Sequence, residues 1–150
     1  MSKTKESRER LSSSTLHRLM GNASIAMPAY DHGSQRPAIV HLGVGAFHRC
    51  HQAEYADDLL RLNVGPWGIQ AINLRAPDLR SALGEQDGFY CRELRENGSV
   101  DRRVIGAIAG AHTVLGAEYD PHRLTLETAF KTCTDSNIKV ITLTVTEKGY

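Results

Sequence analysis

The sequence predicts an α/β protein built on a doubly wound, mainly parallel sheet with an inserted β-hairpin. A short apolar run at residues 38–42 is followed by a glycine turn and an amphipathic helical pattern. Strand-like and helix-like segments then alternate along the chain, as they do in parallel sheets with helical crossovers. A second apolar run at residues 138–145 is nearly continuous, which is typical of a central parallel strand buried on both faces.

Composition excludes several other classes of protein. The 150 residues are 41% hydrophobic and 23% charged, with a net charge of +1. These values are ordinary for a globular domain and argue against a nucleic-acid partner. No apolar run approaches the roughly 20 residues that cross a bilayer, and the polar start contains no signal peptide. Three cysteines do not make a disulfide framework, so we expect a protein of the reducing cytoplasm without a membrane partner.

The chain divides into a leader and one domain. Residues 1–27 are polar; we expect residues 1–12 to be frayed and residues 14–20 to form a short amphipathic helix. Residues 28–36 should form an extended arm that leads into the first strand. Residues 28–150 are then an N-terminal domain whose last apolar strand has nothing to cover its far edge. We therefore interpret the domain as incomplete and the sequence as truncated.

The first strand, at residues 38–42, leads into the turn Gly43-Val44-Gly45. A strand, a glycine turn and a helix form the layout of a dinucleotide pyrophosphate site. Gly43 permits the sharp turn, and Gly45 lets a phosphate approach the backbone because it lacks a Cβ. The N–H groups that begin the helix then face the anion. The helix should bury Ala53, Ala56 and Leu60 and point Glu54, Asp57, Asp58 and Arg61 elsewhere.

His48 occupies the position of the third glycine in the G-x-G-x-x-G pattern. That glycine normally allows close packing between the helix and the strand. Its replacement predicts a helix that lies farther from the strand or begins differently. Two glycines after a strand also occur in ordinary βα turns, so the spacing alone leaves the dinucleotide site open.

The rest of the chain supplies further strands and helices. We expect strands at residues 68–74, 89–94, 102–108 and 138–145 and helices at residues 76–83 and 120–132. Asn97-Gly98 is a strong hairpin signal between the second and third of these strands. Asp120 should cap the second helix, with Pro121 in its first turn. The predicted buried face of that helix consists of Leu124, Leu126, Ala129, Phe130 and Cys133.

Several blocks of the sequence match a known family in order over residues 28–150. They are PAYD at 28–31, GVGAFHRCHQ at 43–52, DLL at 58–60, WGI at 67–69, NLR at 73–75, QDGFY at 86–90, RVIG at 103–106 and TLTVTEKGY at 142–150. Each block is weak alone, but together they closely resemble the long-chain mannitol dehydrogenase family. That family includes mannitol 2-dehydrogenases, fructuronate and tagaturonate reductases, and arabinitol dehydrogenases.

The resemblance implies a Rossmann-like domain and hydride transfer between a nicotinamide cofactor and a hydroxyl or keto group. The implied substrates are sugar alcohols and keto-sugar acids. In that family a lysine acts as general acid/base, helped by an asparagine and a histidine in a C-terminal helical domain. These 150 residues do not include that domain, and Lys148 does not match the catalytic motif. We therefore assign no catalytic residue and expect the chain alone to be inactive.

The expected cofactor contacts lie in the glycine turn and near two strand ends. The turn supplies Gly43, Val44, Gly45, Ala46 and Phe47. Arg49 either approaches the pyrophosphate or forms a surface ion pair. Asp78 is within reach of the ribose hydroxyls but equally suits a helix start, and Arg75 could instead meet a 2′-phosphate. Thr146 and Glu147 end the last strand, where open sheets place ligands. The resemblance favours NAD and leaves NADP open.

A metal site and a catalytic nucleophile are both disfavoured. His41, His48, Cys50 and His51 lie close in sequence, but their spacing matches no closed zinc pattern. Cys50 is expected in the core, because the resembling family has alanine-sized residues there. No serine or cysteine has a paired base, and no Walker-type lysine follows the glycines. The remaining alternative to an enzyme is a non-catalytic nucleotide-binding or interaction module.

Overall fold

The computed structural model describes residues 10–73, 83–114 and 123–145. Its strands are β1 (Ile25–Ala26), β2 (Pro37–Leu42), β3 (Gly68–Asn73), β4 (Tyr90–Glu96), β5 (Ser99–Ile105), β6 (Ile108–Thr113) and β7 (Val140–Leu143). Its helices are α1 (Ala46–Cys50), α2 (Gln52–Arg61) and α3 (Leu126–Cys133). The predicted leader helix is only a 3₁₀ turn at Leu16–Leu19. The helix expected at residues 76–83 falls almost wholly outside the described residues. Within the described ranges, no helix has the length and hydropathy to cross a membrane.

The main sheet has four parallel strands in the order β6-β3-β2-β7. β2 pairs with β3 on one side and with β7 on the other, so Ile39 lies opposite both Ile69 and Val140. Strands β3 and β6 follow on one side of β2, and β7 then lies on its other side. The strand order therefore reverses beside β2. This confirms the predicted doubly wound, Rossmann-type sheet.

Alternate residues of β2 contribute to two separate cores, one on each face of the sheet. The core on the α2 side includes Ile39, Ala53, Ala56, Ile69 and Ala71. The core on the α3 side includes Val40 and Ile72, packed with Leu42, Leu124, Ala129, Cys133 and Ile138. The small alanines of α2 allow the helix to pack closely against the strands. Burial on both faces makes β2 the central strand, and the turn that follows it is therefore rigidly placed.

The predicted hairpin is confirmed, and it belongs to a second, smaller sheet. β4 and β5 pair antiparallel, and the turn residues Asn97 and Gly98 have φ angles of 49° and 80°. Positive φ at both positions is what a two-residue hairpin turn requires. β1 pairs in parallel with β5, giving the order β1-β5-β4. The hairpin is thus inserted beside the main sheet and does not extend it.

The strand expected at residues 102–108 is wrong in its extent, because the structure has two strands there. β5 ends at Ile105 in the small sheet, and β6 begins at Ile108 in the main sheet. The continuous apolar run hides the break between them. The break lies at Gly106, whose N–H donates to the Asp57 carboxylate at 3.0 Å instead of pairing within a strand.

Asp57 of α2 is fully buried, which contradicts the prediction that it points away from the core. Its carboxylate accepts hydrogen bonds from the Tyr30 hydroxyl, the Gly106 N–H and the guanidinium groups of Arg61 and Arg103. We call these five residues the Asp57 network. Burial alone would raise the pKa of Asp57, but the four donors outweigh burial and lower that pKa. The network joins α2 to the arm before β2 and to β5.

α3 begins later than predicted. It starts at Leu126, and the Thr125 side chain caps it by accepting a hydrogen bond from a first-turn N–H. The expected start at residues 120–121 lies outside the described residues, but residues 123–125 are not helical. A continuous helix from residue 120 is therefore wrong. Leu126 and Phe130 are 59% and 68% exposed, so they do not belong to its buried face.

β7 is an edge strand of the described sheet, although its pattern predicted burial on both faces. Val140, Ile141 and Leu143 are 40%, 50% and 61% exposed. The expectation of a central strand is therefore wrong for the described sheet. The strand is parallel, as expected, and it pairs with β2. The carboxyl end of β7 consequently lies next to the glycine turn.

Candidate functional site

Gly43 makes the turn between β2 and α1 at the carboxyl edge of the sheet. Its φ of +94° lies in the left-handed region, which residues other than glycine rarely adopt. A Cβ there would lie 3.3 Å from the Thr144 carbonyl oxygen, so the neighbouring strand end also leaves little room. The Gly43 N–H donates to the Ile72 carbonyl at 2.9 Å. The turn is thus held against the ends of both strands that flank β2.

Gly45 has a different role, because the fold does not need a glycine there. Its φ of −112° and ψ of −171° suit any residue, and a Cβ would meet no atom within 4 Å. The open space adjoins the start of α1 at Ala46, and the first N–H groups of a helix have no acceptor within it. A bare backbone beside free donors fits the pyrophosphate of a dinucleotide.

The Gly43–Val44 peptide group is held from two sides. The Val44 N–H donates to Oδ1 of Asn73 at the end of β3. The Gly43 carbonyl oxygen lies 3.2 Å from Nε2 of His41 in β2. The Val44 N–H is therefore already bonded within the protein. Sequence reasoning missed Asn73 as a site residue; the available signal was an amide side chain at the carboxyl end of the strand beside β2.

His48, in place of the third glycine, is 1% exposed and stacks on His41, with ring centroids 3.7 Å apart and planes 14° apart. We call these two residues the histidine stack. Burial, together with the neighbouring His41 and Arg49, lowers the pKa of His48 to about 3. Neither ring nitrogen of His48 has a hydrogen-bond partner in the described part of the chain. The helix is interrupted after this position: α1 ends at Cys50, and His51 separates it from α2.

Phe47 and Arg49 are partly or largely accessible on α1. Phe47 is 68% exposed, and its ring stacks on that of His51 with centroids 4.3 Å apart. Arg49 lies over the Tyr90 ring, with 6.0 Å between Cζ and the ring centroid, and its Nε is 3.4 Å from the Gly45 carbonyl oxygen. No carboxylate among the described residues pairs with Arg49. The ion-pair alternative therefore has no support in the described chain.

Cys50 is exposed, so its expected place in the core is wrong. A continuous helix would have put Cys50 on the face of Ala53, three residues later. The break at His51, with φ −130° and ψ −86°, removes that relation. Within the ranges that the structure describes, no three His, Cys, Asp or Glu side chains are grouped to hold a metal ion.

A cavity of about 620 Å³ lies beside the turn, between the two helices and the end of β7. It is lined by the histidine stack together with Phe47, His51, Gln52, Tyr55, Thr142, Leu143, Thr144 and Val145. It lies where the strand order reverses, which is where open α/β sheets bind ligands. A second cavity, of about 640 Å³, includes Arg36 and Arg61 and lies near the amino end of β2. We assign the candidate site to the cavity beside the turn.

Four of the residues considered for cofactor contacts lie outside the described residues. They are Arg75, Asp78, Thr146 and Glu147. Their roles at the ribose and near the nicotinamide stay predictions. Val145, the last described residue before Thr146, lines the cavity beside the turn.

The chain is similar to known proteins in both sequence and structure. The family model described as "Mannitol dehydrogenase Rossmann domain" matches residues 37–150. A mannitol 2-dehydrogenase of Cereibacter sphaeroides is 38% identical over 130 residues. A D-mannonate oxidoreductase of Escherichia coli (strain K12) is 36% identical over 132 residues. The two matches cover 85% and 86% of this chain and 26% of each relative.

A solved structure shares the fold at a similar level of identity. The Pseudomonas fluorescens mannitol 2-dehydrogenase, a ternary complex with NAD and D-mannitol, has a TM-score of 0.79 and 32% identity. The match covers 95% of this chain and 28% of the other. The chain thus spans about a quarter of the length of these relatives. From the family match over residues 37–150 and the Rossmann-type sheet around the glycine turn, the chain belongs to the mannitol dehydrogenase family of oxidoreductases.

Proposed function

We propose that residues 28–150 are the cofactor-binding domain of an NAD(P)-dependent polyol or hexuronate oxidoreductase. The observation that carries the proposal is the open space at Gly45, where the fold would accept any residue. A phosphate would fill that space and meet the first N–H groups of α1. The cavity lined by Phe47 and the end of β7 would hold a further part of the cofactor.

The proposed cofactor is NAD, with NADP left open. The support for NAD is the similar Pseudomonas fluorescens enzyme, whose structure contains NAD and D-mannitol. The backbone of Gly43, Gly45 and Ala46 would hold the pyrophosphate, and Arg49 would add positive charge. The choice between the two cofactors depends on the ribose end, where Asp78 and Arg75 are the candidates.

The proposed substrate is a sugar alcohol or a keto-sugar acid. The mannitol 2-dehydrogenase and D-mannonate oxidoreductase relatives support this substrate class. The bound nicotinamide would accept or supply the hydride. The reaction also needs a base that takes up the hydroxyl proton and a protein surface that orients the reacting substrate carbon against the nicotinamide. Within the described site, His48 is no such base, because a pKa of about 3 makes its ring too weak a base to hold the hydroxyl proton at ordinary pH. We therefore propose that this chain alone binds the cofactor without turning over a polyol.

A cytoplasmic location is part of the proposal. The three cysteines, Cys50, Cys91 and Cys133, are all free. Free thiols are usual in a reducing compartment, where disulfides rarely persist.

Gly45→Val tests the proposed site, because a branched side chain would occupy the open space without straining the backbone. We expect NADH affinity to fall at least tenfold, which is a loss of about 1.4 kcal/mol of binding free energy. The midpoint of thermal unfolding should not change. Gly33→Val is the matched control: Gly33 is exposed, and a Cβ there would meet only the Asp31 carboxylate, at 3.5 Å. Fluorescence titration with NADH measures the affinity of Gly45→Val, of Gly33→Val and of the unsubstituted chain. Equal affinity in Gly45→Val and the unsubstituted chain would contradict the site.

A further inference from the structure

We infer that His41 is a positioning residue of the nucleotide turn, whose Nε2–H holds the Gly43 carbonyl and thereby fixes the Gly43–Val44 peptide plane. This inference rests on the proposed function, because it gives His41 a role in the same dinucleotide site. His41 was considered in the sequence only as a metal ligand. Its contribution would pass through the backbone of the turn, and not through direct contact with the cofactor.

One planar peptide group carries both of the contacts that fix the turn. The Gly43 carbonyl and the Val44 N–H belong to that group, so they turn together. His41 Nε2 lies 3.2 Å from the carbonyl oxygen, and Asn73 Oδ1 accepts the N–H. β2 and β3 therefore hold opposite edges of the same plane. Rotation of this peptide would break both bonds and would redirect the next N–H, that of Gly45, toward a different point.

The position of the proton on His41 follows from its partners. A carbonyl oxygen only accepts hydrogen bonds, so Nε2 carries the hydrogen. Nδ1 of the neutral ring then accepts from the Thr142 hydroxyl, 2.8 Å away. Because that hydroxyl has a single hydrogen, the Gln52 amide, whose Oε1 lies 3.0 Å from Thr142 Oγ1, must be flipped in this arrangement so that its NH2 group donates to Thr142. The Thr144 hydroxyl also lies 3.2 Å from Nε2. The ring consequently connects the turn to the end of β7, across the point where the strand order reverses.

His48 supports this arrangement by stacking on the His41 ring. The two rings are 3.7 Å apart and nearly parallel, so His48 restricts how the His41 ring can tilt. Arg49 is the charged neighbour of the stack, and Gln52 of α2 and Thr142 of β7 are its polar neighbours. Burial lowers the pKa of His41, so its ring is neutral at ordinary pH, as the Nε2–H form requires. A glycine at position 48 would leave His41 without this contact.

Two substitutions of His41 separate the roles of its ring nitrogens. In His41→Gln the side-chain amide can stand near the place of Nε2 and still donate to Gly43, whereas in His41→Asn it stands near Nδ1 and reaches Thr142. Both variants lose the ring stack, so each is the control for the other. We expect His41→Asn to bind NADH at least tenfold more weakly than His41→Gln, at similar thermal midpoints. Equal affinities would overturn the inference.

A measurement on the unsubstituted chain covers the case in which a variant does not fold. Nitrogen-15 NMR of the His41 ring at neutral pH should show the neutral Nε2–H tautomer, with slow exchange of the Val44 amide hydrogen. An Nδ1–H tautomer or an imidazolium ion would overturn the positioning role. If the Nε2–H form is present but the chain does not bind NADH, the proposed function fails while the positioning of the turn stands.

Discussion

The Asp57 network and the histidine stack are both buried polar clusters, but they differ in how completely their polar atoms are bonded. In the Asp57 network the carboxylate takes four donors, and Arg61 also donates to the carbonyl oxygens of Met27 and Val104. In the stack, both nitrogens of His48 lack a partner in the described chain. Fully bonded clusters anchor elements to one another, whereas unbonded buried polar groups cost stability. This difference indicates that the Asp57 network stabilises the fold, whereas the unbonded His48 nitrogens beside the candidate site destabilise it.

The two clusters should also respond to acid at different pH. The pKa of Asp57 is lowered from 3.8, so its contribution to stability is complete above that pH and is lost as the pH falls through the folded-state pKa. The pKa of His48 falls from 6.5 to about 3, so the unfolded chain takes up this proton first. Stability linked to His48 is therefore complete above pH 6.5 and declines between pH 6.5 and 3. Only the stack should respond between neutral pH and pH 5.

The largest expected effect is that of Asp57→Ala. This substitution leaves Arg61 and Arg103 in a largely buried place without their shared carboxylate. We expect the free energy of unfolding to fall by about 3–5 kcal/mol, measured by urea denaturation. Asp58→Ala is the matched control: this neighbouring side chain is 48% exposed and pairs with Arg103 at 2.6 Å. An exposed pair is worth about 0–1 kcal/mol. Similar losses in the two variants would show that the network is not an anchor.

A smaller effect is expected for His48→Phe, which keeps an aromatic ring on His41 and removes the unbonded nitrogens. Its stability at pH 8 should equal or exceed that of the unsubstituted chain, because the substitution removes the two unpaired buried nitrogens of His48. On acidification to pH 5 the variant should lose about 2 kcal/mol less than the unsubstituted chain, since phenylalanine takes up no proton. His17→Phe, at an exposed histidine, is the matched control for replacing a histidine by phenylalanine. If the stability of His48→Phe and that of the unsubstituted chain depended on pH in the same way, His48 would not be the cause of the acid-induced loss.

The sequence was sufficient for features encoded locally. The apolar run of β2, the sharp turn at Gly43 and the Asn97-Gly98 hairpin each depend on neighbouring residues, and all three are confirmed. Features that depend on distant partners were missed. The helical pattern of α2 placed Asp57 on the polar side, because no local pattern reveals Arg103, 46 positions away.

The same limit applies to the candidate site. Gly43 and Gly45 could be named from their spacing, but Asn73 lies 29 positions from the Val44 N–H that it accepts. Cys50 was misplaced because the helix breaks at His51, where the sequence carries no glycine or proline to mark the break. Backbone breaks and long-range hydrogen bonds are set by tertiary contacts, and periodicity does not report them.

The central claim is that a dinucleotide binds at the glycine turn, and amide NMR during titration with NADH tests it most directly. We predict that the largest shift changes occur at Gly45 and Ala46, with smaller ones at Thr144 and Val145 at the end of β7. The cavity near Arg36, at the other end of β2, should be unaffected. Shift changes centred on that cavity, or no saturable change at Gly45, would contradict the assignment of this chain as a nucleotide-binding domain with its site at the turn.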